Sequence, residues 1–245
     1  MIDAYTHLDL SSTDPIADMQ ARMADAGIHR ALAVETWKGD NLAWLQRMLA
    51  APSPQFRVVP CYRPEQKQPS PELLQNAAVV GLRVRTVDLH QIESLAPWLA
   101  SSGNWLVPHA ESGIGPLRKE LIALVRRAPG LHIYLPHLGW PRRDKVDDPE
   151  WEDAVAELCQ LPGIVAGISA IAHFSHESFP HSDVEPFAAR LIEKFGPASV
   201  VAASDYPLFE KSLYTRYMQL AQDWIRRVDP HWLPRFEQAL DSDRN

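Results

Sequence analysis

The sequence predicts an α/β protein built as a single (β/α)8 TIM barrel over residues 1–245, and three observations predict it. Eight short apolar runs alternate with amphipathic ones along 245 residues, which is the size and order of eight strand–helix units. No Gly-rich phosphate loop follows any run, which weighs against the runner-up, a doubly wound open sheet. Polar side chains fall at the carboxyl ends of many runs rather than at one switch point.

The opening run, Met1-Ile2-Asp3-Ala4-Tyr5-Thr6-His7-Leu8-Asp9, organises the rest. As a strand with a two-residue side-chain period it places Asp3, Tyr5 and His7 on one face and Ile2, Ala4, Thr6 and Leu8 on the other. Buried polar side chains need partners: a metal, one another or a substrate. Thr13-Asp14-Pro15 starts a helix with Pro in its first turn, and Gly27 ends it. The second strand is 30–35 (RALAVE), followed by a helix at 40–51; the third is 56–62 (FRVVPCY), followed by a short helix at 70–76. The fourth, 79–85 (VVGLRVR), leads to a helix at 91–100, and the fifth, 105–111 (WLVPHAE), to one at 116–127. The sixth, 132–137 (HIYLPH), precedes a helix at 149–160, and the seventh, 164–171 (IVAGISAI), one at 184–195. The eighth, 199–205 (SVVAASD), is followed by helices at 214–228 and 230–240. The 21 prolines fit many short loops, of which 65–71 is the most polar, and no linker or repeat divides the chain.

Hydrophobic content of 46%, spread evenly, predicts one domain around one large core. The net charge of -7, with Lys and Arg interleaved among Asp and Glu, excludes a nucleic-acid-binding stripe. No apolar run has the length of a membrane span, and the first residues lack the layout of a signal peptide, so a cytoplasmic protein is expected. Cys61 and Cys159 stand far apart in apolar contexts, which predicts reduced core thiols rather than a disulfide or a zinc cluster. A homodimer is the default assembly.

The two-residue period, applied to each strand end, gathers the candidate chemistry. Strand one offers Tyr5 and His7; strand four offers Arg83 and Arg85 opposite Val80, Leu82 and Val84. Strand five offers His109 and Glu111 in phase with Trp105 and Val107, and strand six His137 in phase with Ile133 and Leu135. Strand seven carries Gly167 and Ser169, and strand eight ends in Asp205, in phase with Val201 and Ala203. In a barrel these meet at one mouth. Plainer roles stand beside each: Asp205 as a turn cap before Pro207, His137 bonded to a carbonyl, and Tyr5 as a packing residue. Arg83 and Arg85 also fit interior ion pairs with Asp3, Glu35 or Glu111. Ser169 lacks a G-x-S-x-G elbow, which speaks against nucleophilic serine chemistry. The His-rich run from His173 to His181 fits no closed zinc site and suits a loop over the mouth, with Phe174 and Phe179 as an apolar lid. Trp37, Trp140 and Tyr206 follow strand ends and are candidate pocket walls; His29, His90, His132 and His231 receive no role.

These residues resemble a known family. Ile2-Asp3-Ala4-Tyr5-Thr6-His7 is similar to the opening IDxHxH of the amidohydrolase-related family, a TIM-barrel group within the amidohydrolase superfamily. Gly81-Leu82-Arg83, His137-Leu138-Gly139 with Pro141, and Ser204-Asp205-Tyr206-Pro207 resemble its GxR, HLGxP and GSDWP motifs, and Phe195-Gly196-Pro197 resembles the segment before the last. The likeness runs from strand one to strand eight and is nearest to a branch of lactonases; a neighbouring branch holds metal-dependent decarboxylases and hydratases. It implies a metal site made by two histidines of strand one, the strand-five histidine and the strand-eight aspartate. Here Tyr5 stands at the first position, leaving His7, His109 and Asp205 to hold one divalent metal, zinc foremost, or no metal at all. The implied activity is opening of a small carboxylated lactone by water that Asp205 activates. His137 or His109 would hold the oxyanion or protonate the leaving alkoxide, Arg83 and Arg85 would bind the substrate carboxylate, and Tyr5 would donate its hydroxyl. The alternatives are a decarboxylase with metal at His7, His109 and Asp205, and a non-catalytic ligand-binding barrel.

Overall fold

Eight strands lie among the residues that the computed structural model describes, namely 1–37, 41–64, 73, 75–142, 147–234 and 236. Strands β1 (Ile2–Thr6), β2 (Arg30–Val34) and β3 (Phe56–Val59) form one parallel sheet, ordered as in the sequence. Strands β4 (Gly81–Arg85), β5 (Trp105–His109), β6 (His132–Leu135), β7 (Ile164–Ile168) and β8 (Val200–Ala202) form a second, also parallel and in order. The expected unbroken ring is therefore met in part, as two parallel sheets of three and five strands. Individual backbone hydrogen bonds bridge the seams. Between β3 and β4, Val80 N–H donates to Val58 O (3.0 Å) and Arg83 N–H to Pro60 O (2.8 Å). Pro60 has no amide hydrogen with which to extend the β3 ladder. Between β8 and β1, Asp205 N–H donates to Tyr5 O (2.9 Å) and His7 N–H to Tyr206 O (2.7 Å).

Asp3 pins the second seam. Its carboxylate accepts the Ser204 N–H (2.9 Å), the Ser204 hydroxyl (2.6 Å) and the Tyr214 hydroxyl (3.0 Å). Complete burial still pushes its pKa up to about 6, because desolvation outweighs those bonds.

Helices follow the strands as the capping signals predict. Asp14 caps the helix Pro15–Asp25 by accepting the Ala17 N–H, and Asp148 caps Pro149–Leu158 by accepting the Trp151 N–H. Helices Arg118–Arg127, Glu185–Phe195 and Tyr214–Val228 match their predicted spans closely, and Leu42–Ala50 matches within the described residues; the helix expected at 91–100 starts late, at Ala96–Ser102, because a 3-10 helix takes Thr86–Ile92. The predicted helix at 70–76 falls largely outside the described residues; of the one at 230–240, residues 230–234 are turn and irregular chain rather than helix, and 235 and 237–240 lie outside the described residues. Among the described residues no helix is long and apolar enough to cross a membrane.

The buried apolar residues form two groups. The larger lies between the strands and the helices; the smaller takes Ile2, Leu32, Val59, Val80, Val107, Tyr134, Val165 and Val201, from or beside every strand. This inner group corrects three assignments of side-chain phase, the first being Val80, which belongs to it while Leu82 and Val84, expected on the same face, lie in the outer group. In β1, Ile2, Ala4 and Tyr5 all belong to it, because one extra residue is inserted against β2: Asp3 pairs with Ala31 but Thr6 with Ala33. In β6, Tyr134 faces inward while Ile133 and Leu135 face the helices, the reverse of the expected phase. Both cysteines are free thiols, but only Cys61 is buried; Cys159, at the end of a helix, is half-buried.

Candidate active site

The strand ends open onto a cavity of about 570 Å³ whose lining includes His7, Arg83, His109, His137, Trp140 and Asp205. Three of these have left-handed backbone, with φ of 57° at His137, 57° at Trp140 and 60° at Asp205; Ala170, another lining residue, has 54°. Each such residue with a Cβ costs about 1 kcal/mol, so the surroundings must hold it. Ser169 does so for His137 by accepting its N–H (2.9 Å), and Trp151 Nε1–H binds the Leu138 carbonyl (2.8 Å) in the next turn. This reversal, rather than the strand phase, carries the His137 ring into the cavity.

Asp205 occupies the floor. Its Oδ1 is buried without a hydrogen-bond partner, 3.7 Å from His7 Nε2 and 3.8 Å from His137 Nε2. Burial pushes its pKa up to about 8; the charge on Arg83 opposes this and that on Asp3 adds to it. The neighbouring imidazoles are held neutral. His7 is pushed down to about 3, by burial first and then by the Arg83 charge, and His137 lies well below its ordinary value for the same reasons. The two contacts are therefore not ion pairs. His7 Nδ1 meets the Val34 carbonyl at 2.6 Å, and a carbonyl only accepts, so Nδ1 carries the proton and the Nε2 lone pair faces Asp205. His137 Nδ1 meets the Ser169 hydroxyl at 2.9 Å.

Arg83 also lines the cavity. It is 5% exposed, donates to the Glu35 carbonyl (2.9 Å) and to His109 Nδ1 (2.9 Å), and lies 4.6 Å from the centre of the Trp37 ring. Its Nε–H is buried and unpartnered, and Glu35 is occupied instead by Arg63 at 2.6 Å. A buried guanidinium with an unused donor suits an incoming anion. Because a guanidinium can only donate, His109 Nδ1 is an acceptor; its proton sits on Nε2, which meets Glu111 Oε1 at 2.9 Å.

Tyr5 lies beneath this group, fully buried, its ring 4.5 Å from that of His137 and 5.2 Å from that of His7. Its hydroxyl has no partner, and burial pushes its pKa far above the ordinary phenol, so it remains a donor. Arg85 does not line the cavity: its Nε binds Asp88 at 2.8 Å, and its side chain is 44% exposed. Tyr206 is also turned away, its hydroxyl bonded to Asp18 on the first helix (2.9 Å), whereas Trp140 does form a wall.

The residues do not fit a three-ligand metal site. His109 spends one ring nitrogen on Arg83 and the other on Glu111, and Tyr5 keeps its proton. No cluster of three or more metal-ligating side chains occurs among the described residues. What sequence reasoning missed is the Ser169–His137 bond, together with Arg142 and Ala170 in the lining, whereas His173, expected in a loop over the mouth, does line the cavity. Only Ser169, in phase with Gly167, gave a sequence signal.

Known proteins resemble this chain in sequence and in fold. An L-fucono-1,5-lactonase of Burkholderia ambifaria is 30% identical over 91 residues, which is 36% of this chain and 30% of that protein, so the match spans under a third of that relative's length. An amidohydrolase from Burkholderia multivorans, solved with bound zinc, superposes with a TM-score of 0.72 at 18% identity, over 98% of this chain and 95% of that one. A putative 2-pyrone-4,6-dicarboxylic acid hydrolase from Pseudomonas putida superposes with a TM-score of 0.71 at 19% identity, over 98% and 96%. The sequence model of the family described as Amidohydrolase matches residues 9–226, and the chain belongs to that family.

Proposed function

We propose that this chain is a lactonase that opens a small carboxylated cyclic ester with water activated by Asp205, within one domain whose two sheets act together as a (β/α)8 barrel. The observation that carries it is the buried, unpartnered Asp205 Oδ1, set between two neutral imidazoles in the residues lining a cavity that Arg83 also lines. The likenesses to a fuconolactonase and to a pyrone dicarboxylic acid hydrolase support the same substrate class. The two unpaired cysteines support the cytoplasmic setting expected from the sequence.

In this account the substrate carboxylate binds Arg83, whose Nε–H and remaining guanidinium hydrogens are aimed by Glu35, His109 and the Trp37 ring. His109 positions Arg83 rather than touching the reacting atoms. Ionised Asp205 accepts a proton from water, and the oxygen so activated attacks the lactone carbonyl carbon. The oxyanion is held by His137 Nε2–H, in the tautomer where Ser169 donates its hydroxyl hydrogen to Nδ1; Tyr5, expected to donate as well, is fully buried and outside the cavity lining. Collapse breaks the acyl carbon–oxygen bond, the alkoxide takes the proton from Asp205, and a hydroxy acid leaves. An activated ester needs no stronger electrophile, and no step is assigned to a metal.

The test is a panel of γ- and δ-lactones with and without a ring carboxylate, assayed by proton release in chelator-treated protein. Opening of carboxylated members that Asp205→Asn abolishes is expected. Failure to open any of them, or equal turnover by Asp205→Asn, would overturn the assignment.

A further inference from the structure

A second cavity, of about 480 Å³, adjoins the first and shares Ala170, His173, Asp205 and Leu208 with it. Beyond those residues the two differ in chemistry. The first is polar, lined by His7, Arg83, His109 and His137. The second is walled by Phe179, Phe209, Leu213 and Tyr217. Phe209 and Tyr217 have ring centres 4.3 Å apart, and Phe179 meets Tyr217 edge-on at 5.7 Å.

Polar atoms in this wall are already committed. The Tyr217 hydroxyl meets His181 Nε2 at 2.6 Å, and His181 Nδ1 meets the Glu177 carbonyl at 2.8 Å. Arg216 lies over the Phe179 ring at 4.1 Å, and Glu210 stands exposed at the rim. Leu208, at the junction of the two cavities, is 72% exposed. A large apolar side chain in that position gains from being covered by a ligand that spans both lobes.

We propose that the second cavity is a subsite for an aromatic substituent of the substrate, so that the ligand has a carboxylate at one end, an aromatic ring at the other and its scissile ester over Asp205. This rests on the lactonase reading for the position of the ester but not for the subsite itself. An aromatic ring would meet Phe209 and Tyr217 in edge and offset contacts and displace water from Leu208.

The experiment compares two δ-lactones that each carry one ring carboxylate, one of them with a phenyl group on the carbon bonded to the ring oxygen. Binding of both lactones' ring-opened acids is measured by calorimetry, and ring opening of the lactones is followed separately. The expected result is binding of the phenyl acid at least about tenfold tighter than its parent. Phe209→Ala should reduce that preference to about threefold or less, and so should Leu208→Asp, whose exposed position leaves the core intact. Equal binding, weaker binding of the phenyl acid, no binding of either, or a preference that survives both substitutions would overturn the subsite. Phenyl preference without ring opening keeps the subsite and refutes the lactonase reading; ring opening without phenyl preference does the reverse.

Discussion

Replacing Asp205 by Asn should stabilise the protein by an amount that grows with pH. The folded pKa of about 8 lies above the ordinary value of 3.8, so the folded state favours the protonated acid. The associated stability is fully present below about pH 4 and is lost as pH rises through about 8. Between about pH 5.5 and 8 the unfolded chain is ionised there and the folded chain is not, which is about 2.5 pH units. At about 1.4 kcal/mol per unit this gives a ceiling of about 3–4 kcal/mol. For a chain of this size that corresponds to a melting shift of roughly 6–16 °C. Asn carries no charge at any pH and escapes the loss. Thermal unfolding of both proteins at pH 5.5, 7 and 9 should show the Asn variant gaining on the wild type as pH rises. A gap that is constant, or that widens toward acid, would show that Asp205 is not the desolvated acid described here.

Four further outcomes follow from the same coordinates. Tyr5→Phe removes a buried hydroxyl that has no partner and lies outside the cavity lining, so urea unfolding should show stability unchanged or raised, with kcat on an accepted lactone changed less than about threefold. Arg83→Lys keeps the charge but loses the fork, and steady-state kinetics should show kcat/KM down about 100-fold, mainly through KM. Ser169→Ala strips the His137 N–H and Nδ1 of their shared partner, which should cost about 1–3 kcal/mol in unfolding experiments and reduce kcat. Gly167→Ala would drive a Cβ into the Tyr134 hydroxyl and to 2.9 Å from its ring, and should destabilise by about 1–3 kcal/mol, read by urea unfolding.

The alternation of apolar and amphipathic runs was enough to locate all eight strands, because a parallel strand covered on both faces is apolar along its length. Strands β5 and β8 kept the two-residue period through to His109 and Asp205. The period failed in β1, where an inserted residue shifts the register, and in β6, where a left-handed turn rather than the pleat aims His137. Neither an insertion against a neighbouring strand nor a positive φ leaves a mark on hydrophobic pattern. Arg85 looked equivalent to Arg83 because both share a face of β4, yet Asp88, three residues on, captures it just outside the strand. The occupation of both His109 nitrogens was hidden for the same reason: it depends on distances to Arg83 and Glu111 that spacing cannot give. The aromatic lobe joins residues of the connections after β7 and β8, where no periodicity applies, to Tyr217 of the helix Tyr214–Val228.

The most direct test of the account is the pH dependence of kcat/KM for an accepted carboxylated lactone, measured between about pH 6 and 10 for the wild type and for Asp205→Asn. The wild type should rise to a plateau with an apparent pKa near 8, and the variant should lose about 100- to 10,000-fold along with that rise. A variant that keeps the wild-type profile, or a wild-type profile that is flat through pH 8, would contradict the role of Asp205 as the base.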